Sequence, residues 1–180
     1  GYLARRAGVV LMVAMNPQTY EEDMAEVVAG GWLLYDSSRP RNWARGDVNV
    51  LAMPIAQICA AKWSDARQRQ LFKNMVYVGA LTALLDMDLD VLKTVVGDQL
   101  KGKDKLVAAN MDAIELGRAY AQANFNCPLA TKVRTATGAK GKIMVTGNDA
   151  AGLSAVYAGA TVCSWYPITP STSVPEAFEK

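Results

Sequence analysis

Near its C-terminal end the chain reads SWYPITPSTSVPEAF, an apolar run that turns abruptly into prolines and hydroxyls at Pro167, Thr169, Pro170 and Ser171. A prolyl ring fixes φ and removes an N–H, so a central strand must end before Pro167 and no helix interior can hold Pro170. Ser173 with Glu176 three residues on has capping-box spacing, and Pro175 suits a first helical turn, so a helix is expected to begin there. Strand, stiff loop and helix N-terminus is the arrangement at which open α/β sheets place ligands. Thr169 offers a hydroxyl donor, the N–H groups after it lead into the helix, and the prolines leave the loop little entropy to lose. That chemistry suits a small anion such as a carboxylate. A well-capped helix start would use the same residues, and the residue types leave both readings open.

Other candidates are weaker. The loop SSRPRNWARGD places Arg39, Arg41 and Arg45 around Trp43, a guanidinium cluster beside an indole that suits a phosphorylated, adenine-bearing ligand or simply a solvated loop. The turn GNDAAGLS from Gly147 lacks both the G-K-[ST] ending and the G-x-G-x-x-G spacing of phosphate loops, so turn and packing account for its glycines. Cys59, Cys127 and Cys163 form no C-x-x-C, which leaves no zinc ribbon or iron–sulfur ligand set within the chain, and an odd count suits a reducing, cytoplasmic setting. Histidine is absent, which removes every Ser-His or Cys-His nucleophile.

These residues need elements to hold them. With 180 residues, 51% of them apolar, there is material for one good domain or parts of two. A net charge of +2 with scattered basic residues implies no nucleic acid, and no segment has the length of a membrane span. GVVLMVAM reads as a buried strand, and NPQTYEEDMAEVVAGG after it as a helix capped by Asn16, opened by Pro17 and stopped by Gly30 and Gly31. WLLYDS and VNVLAMP are further strands, and Pro54 opens the helix IAQICAAKW. Alternation of this kind predicts an α/β fold, a parallel or mixed sheet with flanking helices. From Arg67 to Asn124 the pattern is helical throughout, with Asp88 as a cap and KGKDK at Lys101 to Lys105 as a solvated turn. Residues 125–141 lose periodicity and are expected to be a flexible connector between residues 1–124 and 142–180. After them KIMVTG, a small-residue helix and TVCSWY predict a β-α-β unit that ends in the proline corner. Gly1 opens within apparent structure and Lys180 stops a helix after barely one turn, so an internal segment of a longer polypeptide is expected.

The run GNDAAGLSAVYAGATVCSWYPITPSTS resembles the opening of the alpha subunit of 2-oxoacid:ferredoxin oxidoreductases, whose signature is YPITPS. The upstream NPQTYEED, MPIAQIC and NMVYVGAL are similar to the second half of the same family's gamma domain. The order, gamma then linker then alpha, resembles the fused gamma-alpha subunit, with residues 142–180 as the first β-α-β unit of a thiamine pyrimidine-binding domain. The resemblance implies oxidative decarboxylation of a 2-oxoacid with thiamine diphosphate and magnesium shared with a beta subunit. It further implies electrons passing to an iron–sulfur cluster in a partner subunit and on to ferredoxin, and coenzyme A taking the acyl group. Thr169 would bind the substrate carboxylate, Tyr166, Pro167, Ile168 and Pro170 would shape the wall beside it, and Ser171 would join the substrate-binding residues. 2-Oxoglutarate is expected over pyruvate. The acidic residue for the aminopyrimidine would lie beyond Lys180, and the gamma domain's glycine-rich start before Gly1. A fragment alone would then be inactive and would bind neither cofactor nor magnesium. The competing expectation is a non-catalytic α/β binding or assembly module; a nicotinamide-type domain is disfavoured by the missing glycine fingerprint.

Overall fold

The structure is a computed structural model that describes residues 8–136, 138 and 140–179. The chain divides into two compact units, Gly1–Arg134 and Thr135–Lys180.

In the first unit three strands, β1 (Val9–Ala14), β2 (Val27–Asp36) and β3 (Asn49–Met53), pair in parallel in the order β1-β2-β3. A parallel sheet is covered on both faces, and the alternation along β2 shows how. Leu33 and Tyr35 face a cluster with Ala14, Tyr20, Met24, Val27 and Val48. Leu34 faces the opposite way, with Leu51, Met53 and the helices after them. Those helices are α2 (Ile55–Lys62), α3 (Ala66–Leu84) and α5 (Asp104–Asn124), with α4 (Leu89–Gln99) between α3 and α5 in the chain and outside that cluster. Asp65 and Asp88 cap α3 and α4 by accepting from the Gln68 and Asp90 N–H groups, each at 2.8 Å. The expected solvated turn joins α4 to α5. The inner face of α5 is Ala113, Ile114, Gly117 and Ala121, and its small residues let it lie directly against α3.

The helix expected over NPQTYEEDMAEVVAGG is shorter than its signals. Pro17 sits in a turn, Asn16 accepts from the Gln18 N–H at 3.1 Å, and α1 runs only from Tyr20 to Glu26 with Thr19 in the cap position. At Val27, β-branched residues and a parallel partner take over, and the glycines lie inside β2. They mark a bulge. The register passes from Val9 opposite Val27 to Leu11 opposite Trp32, Gly30 takes φ +75°, and a Cβ on Gly31 would meet the Val28 carbonyl oxygen at 2.8 Å. The open end of α1 is closed from elsewhere, by Arg45 donating to the Met24 and Val27 carbonyls at 3.0 and 2.6 Å.

α2 begins at Pro54, which has no side-chain cap to offer. Its free N–H groups are taken from 20 and 19 residues upstream: Ala56 donates to the Asp36 carboxylate at 3.3 Å and Gln57 to the Ser38 hydroxyl at 3.2 Å. The Ser37 N–H donates to the Met53 carbonyl at 2.9 Å, joining the ends of β2 and β3.

The division between units falls inside the 125–141 segment, and the part before it is packed. Leu129 is buried and donates its N–H to the Leu84 carbonyl at 2.8 Å, Val133 donates to Leu85 at 2.9 Å, and Lys132 reaches Asp86 at 3.3 Å. The partners sit some 45 residues upstream, where local composition cannot reveal them.

The second unit contains α6 (Gly147–Tyr157) and α7 (Ser173–Glu179). The two strands expected beside α6 are not formed: residues 142–146 and 161–166 have no ladder and leave Ile143 79%, Met144 89% and Val162 83% exposed. β-Propensity yields a strand only where a neighbouring strand takes up its N–H and C=O groups, and none among the described residues does so. No helix among the described residues is long and apolar enough to cross a membrane.

Burial raises the pKa of Cys59 above its usual 9.0, and those of Tyr20 and Tyr77 above their usual 10.0. The folded protein therefore holds these protons more tightly than the unfolded chain. Their contribution is fully present below pH 9 and is lost as pH rises through the folded values. The urea midpoint should be flat from about pH 7 to 8, begin to fall as the pH nears the thiol's usual 9.0 and fall further above it, and Tyr77→Phe should flatten the upper part of that fall.

Candidate functional site

The proline corner is a turn built on its own carbonyls. The Ile168 carbonyl accepts from the Ser171 N–H at 2.9 Å and from the Ser171 hydroxyl at 2.8 Å, with the Thr172 hydroxyl at 3.5 Å. Thr169 and Pro170 occupy the two central positions, joined by a cis peptide bond. The Ser173 hydroxyl donates to the Pro170 carbonyl at 3.3 Å. Three of the four hydroxyls here are thus committed as donors. The fourth, on Thr169, is exposed at the tip of the turn and has no hydrogen-bond partner among the described residues.

The expected capping role of Ser173 is not what the structure shows. Ser173 is already helical, the Glu176 N–H donates to the Thr172 carbonyl at 3.2 Å, and the Ser173 oxygen instead accepts from Asn148 at 2.7 Å. The N–H groups expected to face a ligand are partly spent too, since that of Ser171 closes the turn. Tyr166 and Ile168 stand 78% and 59% exposed beside the tip, and Pro167 and Pro170 are exposed with them. Behind the turn, α7 lies against α6 at Gly152, where a Cβ would meet the Val174 carbonyl oxygen at 2.5 Å and Ala177 Cβ at 2.9 Å.

The N-terminus of α6 is no phosphate loop. Thr146 and Asp149 form a full capping box, the carboxylate accepting from the Thr146 hydroxyl at 2.7 Å and N–H at 3.1 Å. A carboxylate occupies the position a phosphate would need. Among the described residues no group of three His, Cys, Asp or Glu is arranged to hold a metal.

In the first unit the Arg/Trp loop is packed rather than solvated. Trp43 lies against Tyr35 and Tyr20 with ring centroids at 5.0 and 5.5 Å, and the Arg41 guanidinium stands 5.5 Å from the Trp43 ring. Arg41 pairs with Glu21 at 2.8 Å and Arg45 with Asp47 at 2.6 Å. The pairing holds the Asp47 carboxyl below its usual range, by hydrogen bonding from Arg45. An open cavity of about 310 Å³ remains beside Met24, Arg41, Trp43 and Arg45. Its two cations are engaged with the protein itself, and Arg39 is exposed outside it.

With this geometry stand the likenesses to known proteins. The profile of the family described as pyruvate ferredoxin/flavodoxin oxidoreductase matches residues 3–120. The chain belongs to that family. It is 28% identical over 116 residues to the ketoisovalerate oxidoreductase subunit VorA of Methanothermobacter thermautotrophicus, covering 63% of this chain and 23% of that relative. It is 23% identical over 195 residues to the 2-oxoglutarate oxidoreductase subunit KorA of Mycobacterium tuberculosis, covering 94% of this chain and 30% of the relative. A solved 2-oxoglutarate:ferredoxin oxidoreductase from Magnetococcus marinus, with 2-oxoglutarate, coenzyme A and succinyl-CoA bound, matches 93% of this chain with a TM-score of 0.78 and 29% identity. The chain spans 23–30% of the length of these three proteins. The YPITPS run lies outside the matched 3–120.

Proposed function

We propose that this chain is part of a fused gamma-alpha subunit of a thiamine-diphosphate-dependent 2-oxoacid:ferredoxin oxidoreductase, with the proline corner on the substrate side of the active site. Residues 1–124 are the end of the gamma domain, 125–141 the connector and 142–180 the start of the alpha domain. The enzyme converts a 2-oxoacid to its acyl-CoA in the cytoplasm and passes electrons to ferredoxin through an iron–sulfur partner. 2-Oxoglutarate is the favoured substrate, in keeping with the names of one curated relative and the solved neighbour.

The observation that carries this reading is the uncommitted Thr169 hydroxyl at the tip of a turn whose other hydroxyls are spent. It can donate to a substrate carboxylate without breaking an internal bond. Ile168 and Tyr166 beside it offer apolar surface that would strip water from that contact and strengthen it. In this reading the cofactor's diphosphate and magnesium are held by the beta subunit.

Replacing Thr169 by Val in the complete enzyme removes a charge-assisted hydrogen bond of about 1.5–3 kcal/mol. kcat/KM for the 2-oxoacid should fall about 10- to 100-fold, with thiamine diphosphate affinity and melting temperature unchanged. Thr169→Ser keeps the donor and should keep most activity. Unchanged kcat/KM with a lowered melting temperature would mean that the corner is only a helix start.

A further inference from the structure

Asn148 sits in the first turn of α6, yet its side chain serves the proline corner. Its amide nitrogen donates to the Pro170 carbonyl at 2.9 Å and to the Ser173 oxygen at 2.7 Å, 22 and 25 residues away. Ser173 in turn donates to the same Pro170 carbonyl at 3.3 Å. The three groups close a ring, and both amide protons are used. Both Asn148 bonds span far more of the chain than the hydrogen bonds within the turn itself, which reach three or four positions.

The bonded carbonyl belongs to the residue directly after Thr169. On the other side, the carbonyl directly before Thr169, that of Ile168, is held by Ser171. The Ile168 carbonyl lies in the peptide that borders Thr169 directly, so rotating it would swing the Thr169 side chain; the Pro170 carbonyl lies one peptide further on, and moving it would shift Thr169 through the rigid proline ring. The Ile168 side of the turn is fixed from within, whereas the Pro170 side is fixed to α6 through Asn148. We propose that Asn148 is a positioning residue for the 2-oxoacid, holding the Thr169 hydroxyl where it meets the carboxylate. This rests on the reading of Thr169 as the carboxylate contact. The residue type is specific: an aspartate has no proton for the Pro170 carbonyl and would set a carboxylate against it, and a glutamine is one methylene too long.

Misplacing one reacting or binding group by about 1 Å can cost up to on the order of 100-fold, and a carboxylate contact made before and during reaction is felt mainly in KM. In the complete enzyme Asn148→Ala should raise KM for 2-oxoglutarate about 10-fold, with kcat within about threefold and KM for coenzyme A unchanged. Asn148→Asp should do the same; a carboxylate in the first turn favours α6, so this variant keeps the fold should the alanine variant lose it. Ser173→Ala leaves the Asn148 bond to Pro170 and should stay within about threefold of the parent KM. The double variant Asn148→Ala/Thr169→Val should be no worse than Thr169→Val alone. If Thr169→Val lowers kcat/KM while Asn148→Asp leaves KM at the parent value, the positioning role is overturned and the Thr169 reading stands. Losses that multiply in the double variant overturn it as well, because Asn148 would then act elsewhere. If Thr169→Val itself has no effect, the reading beneath the proposal fails first.

Discussion

Gly79→Ala and Gly117→Ala should each destabilise the first unit by about 3 kcal/mol, the upper end of what overpacking costs and a large share of the roughly 5–15 kcal/mol typical of a domain. At Gly79 an added Cβ would run into the Ile114 carbonyl oxygen, 2.8 Å from its carbon and 2.9 Å from the Arg118 nitrogen. At Gly117 it would run into the Val76 carbonyl oxygen, 2.8 Å from its carbon and 3.0 Å from Val76 Cα. These are backbone atoms and cannot rotate aside. α3 and α5 would have to separate, opening the core around Val76, Ala80, Ala113 and Ala121, all of it buried. Gly97 on α4 supplies the control, because a Cβ there meets nothing within 4 Å. An exposed helix gains about 0.5–1 kcal/mol when alanine replaces glycine, so Gly97→Ala should stabilise. Thermal unfolding of the three variants should move in opposite directions. Three losses of equal size would mean that helix separation is not what the glycines set.

Gly152→Val should abolish most activity of the complete enzyme while leaving the first unit folded. The position is buried, and a Cβ would meet the Val174 carbonyl oxygen at 2.5 Å and the Phe178 nitrogen at 2.9 Å. α7 cannot stay docked on α6 against a branched side chain, and the turn bearing Thr169 leads straight into α7. Overpacking costs typically 1–3 kcal/mol, and here the strain falls on a helix of only 7 residues, too short to persist without its packing. kcat/KM should drop at least about 100-fold, and Gly152→Ala should fall between it and the parent. The tyrosine and tryptophan fluorescence of Tyr20, Tyr35 and Trp43, a cluster wholly within the first unit, should stay native. Native-like kcat/KM in the valine variant would separate the turn from the α6 packing.

What could be read from residue types was what neighbours in sequence decide. Pro54 starting α2, Asp88 capping α4 and the KGKDK turn depend on a few adjacent positions and are as expected. What escaped depends on partners far along the chain. Gly30 and Gly31 look like a helix stop until β1 lies beside them, when they become a bulge. Arg45 reads as a free cation until it closes the end of α1. TVCSWY has strand composition, but composition does not provide a partner strand. YPITPS points to Thr169 as a candidate directly, whereas Asn148 lies in a turn whose residues suggest only packing. The one signal available was an amide side chain beside the cap residue Thr146, and it does not say what the amide reaches.

The way Asp36 and Ser38 close the start of α2 has a consequence for how the first unit opens. A helix capped by its own residues can fray alone. α2 cannot, because the N–H groups of Ala56 and Gln57 are held by the end of β2, which is itself joined to the end of β3 through Ser37 and Met53. Releasing one means releasing all three, so this corner behaves as a single cooperative foldon, and amide exchange at Ala56 and Gln57 waits on the opening of the sheet.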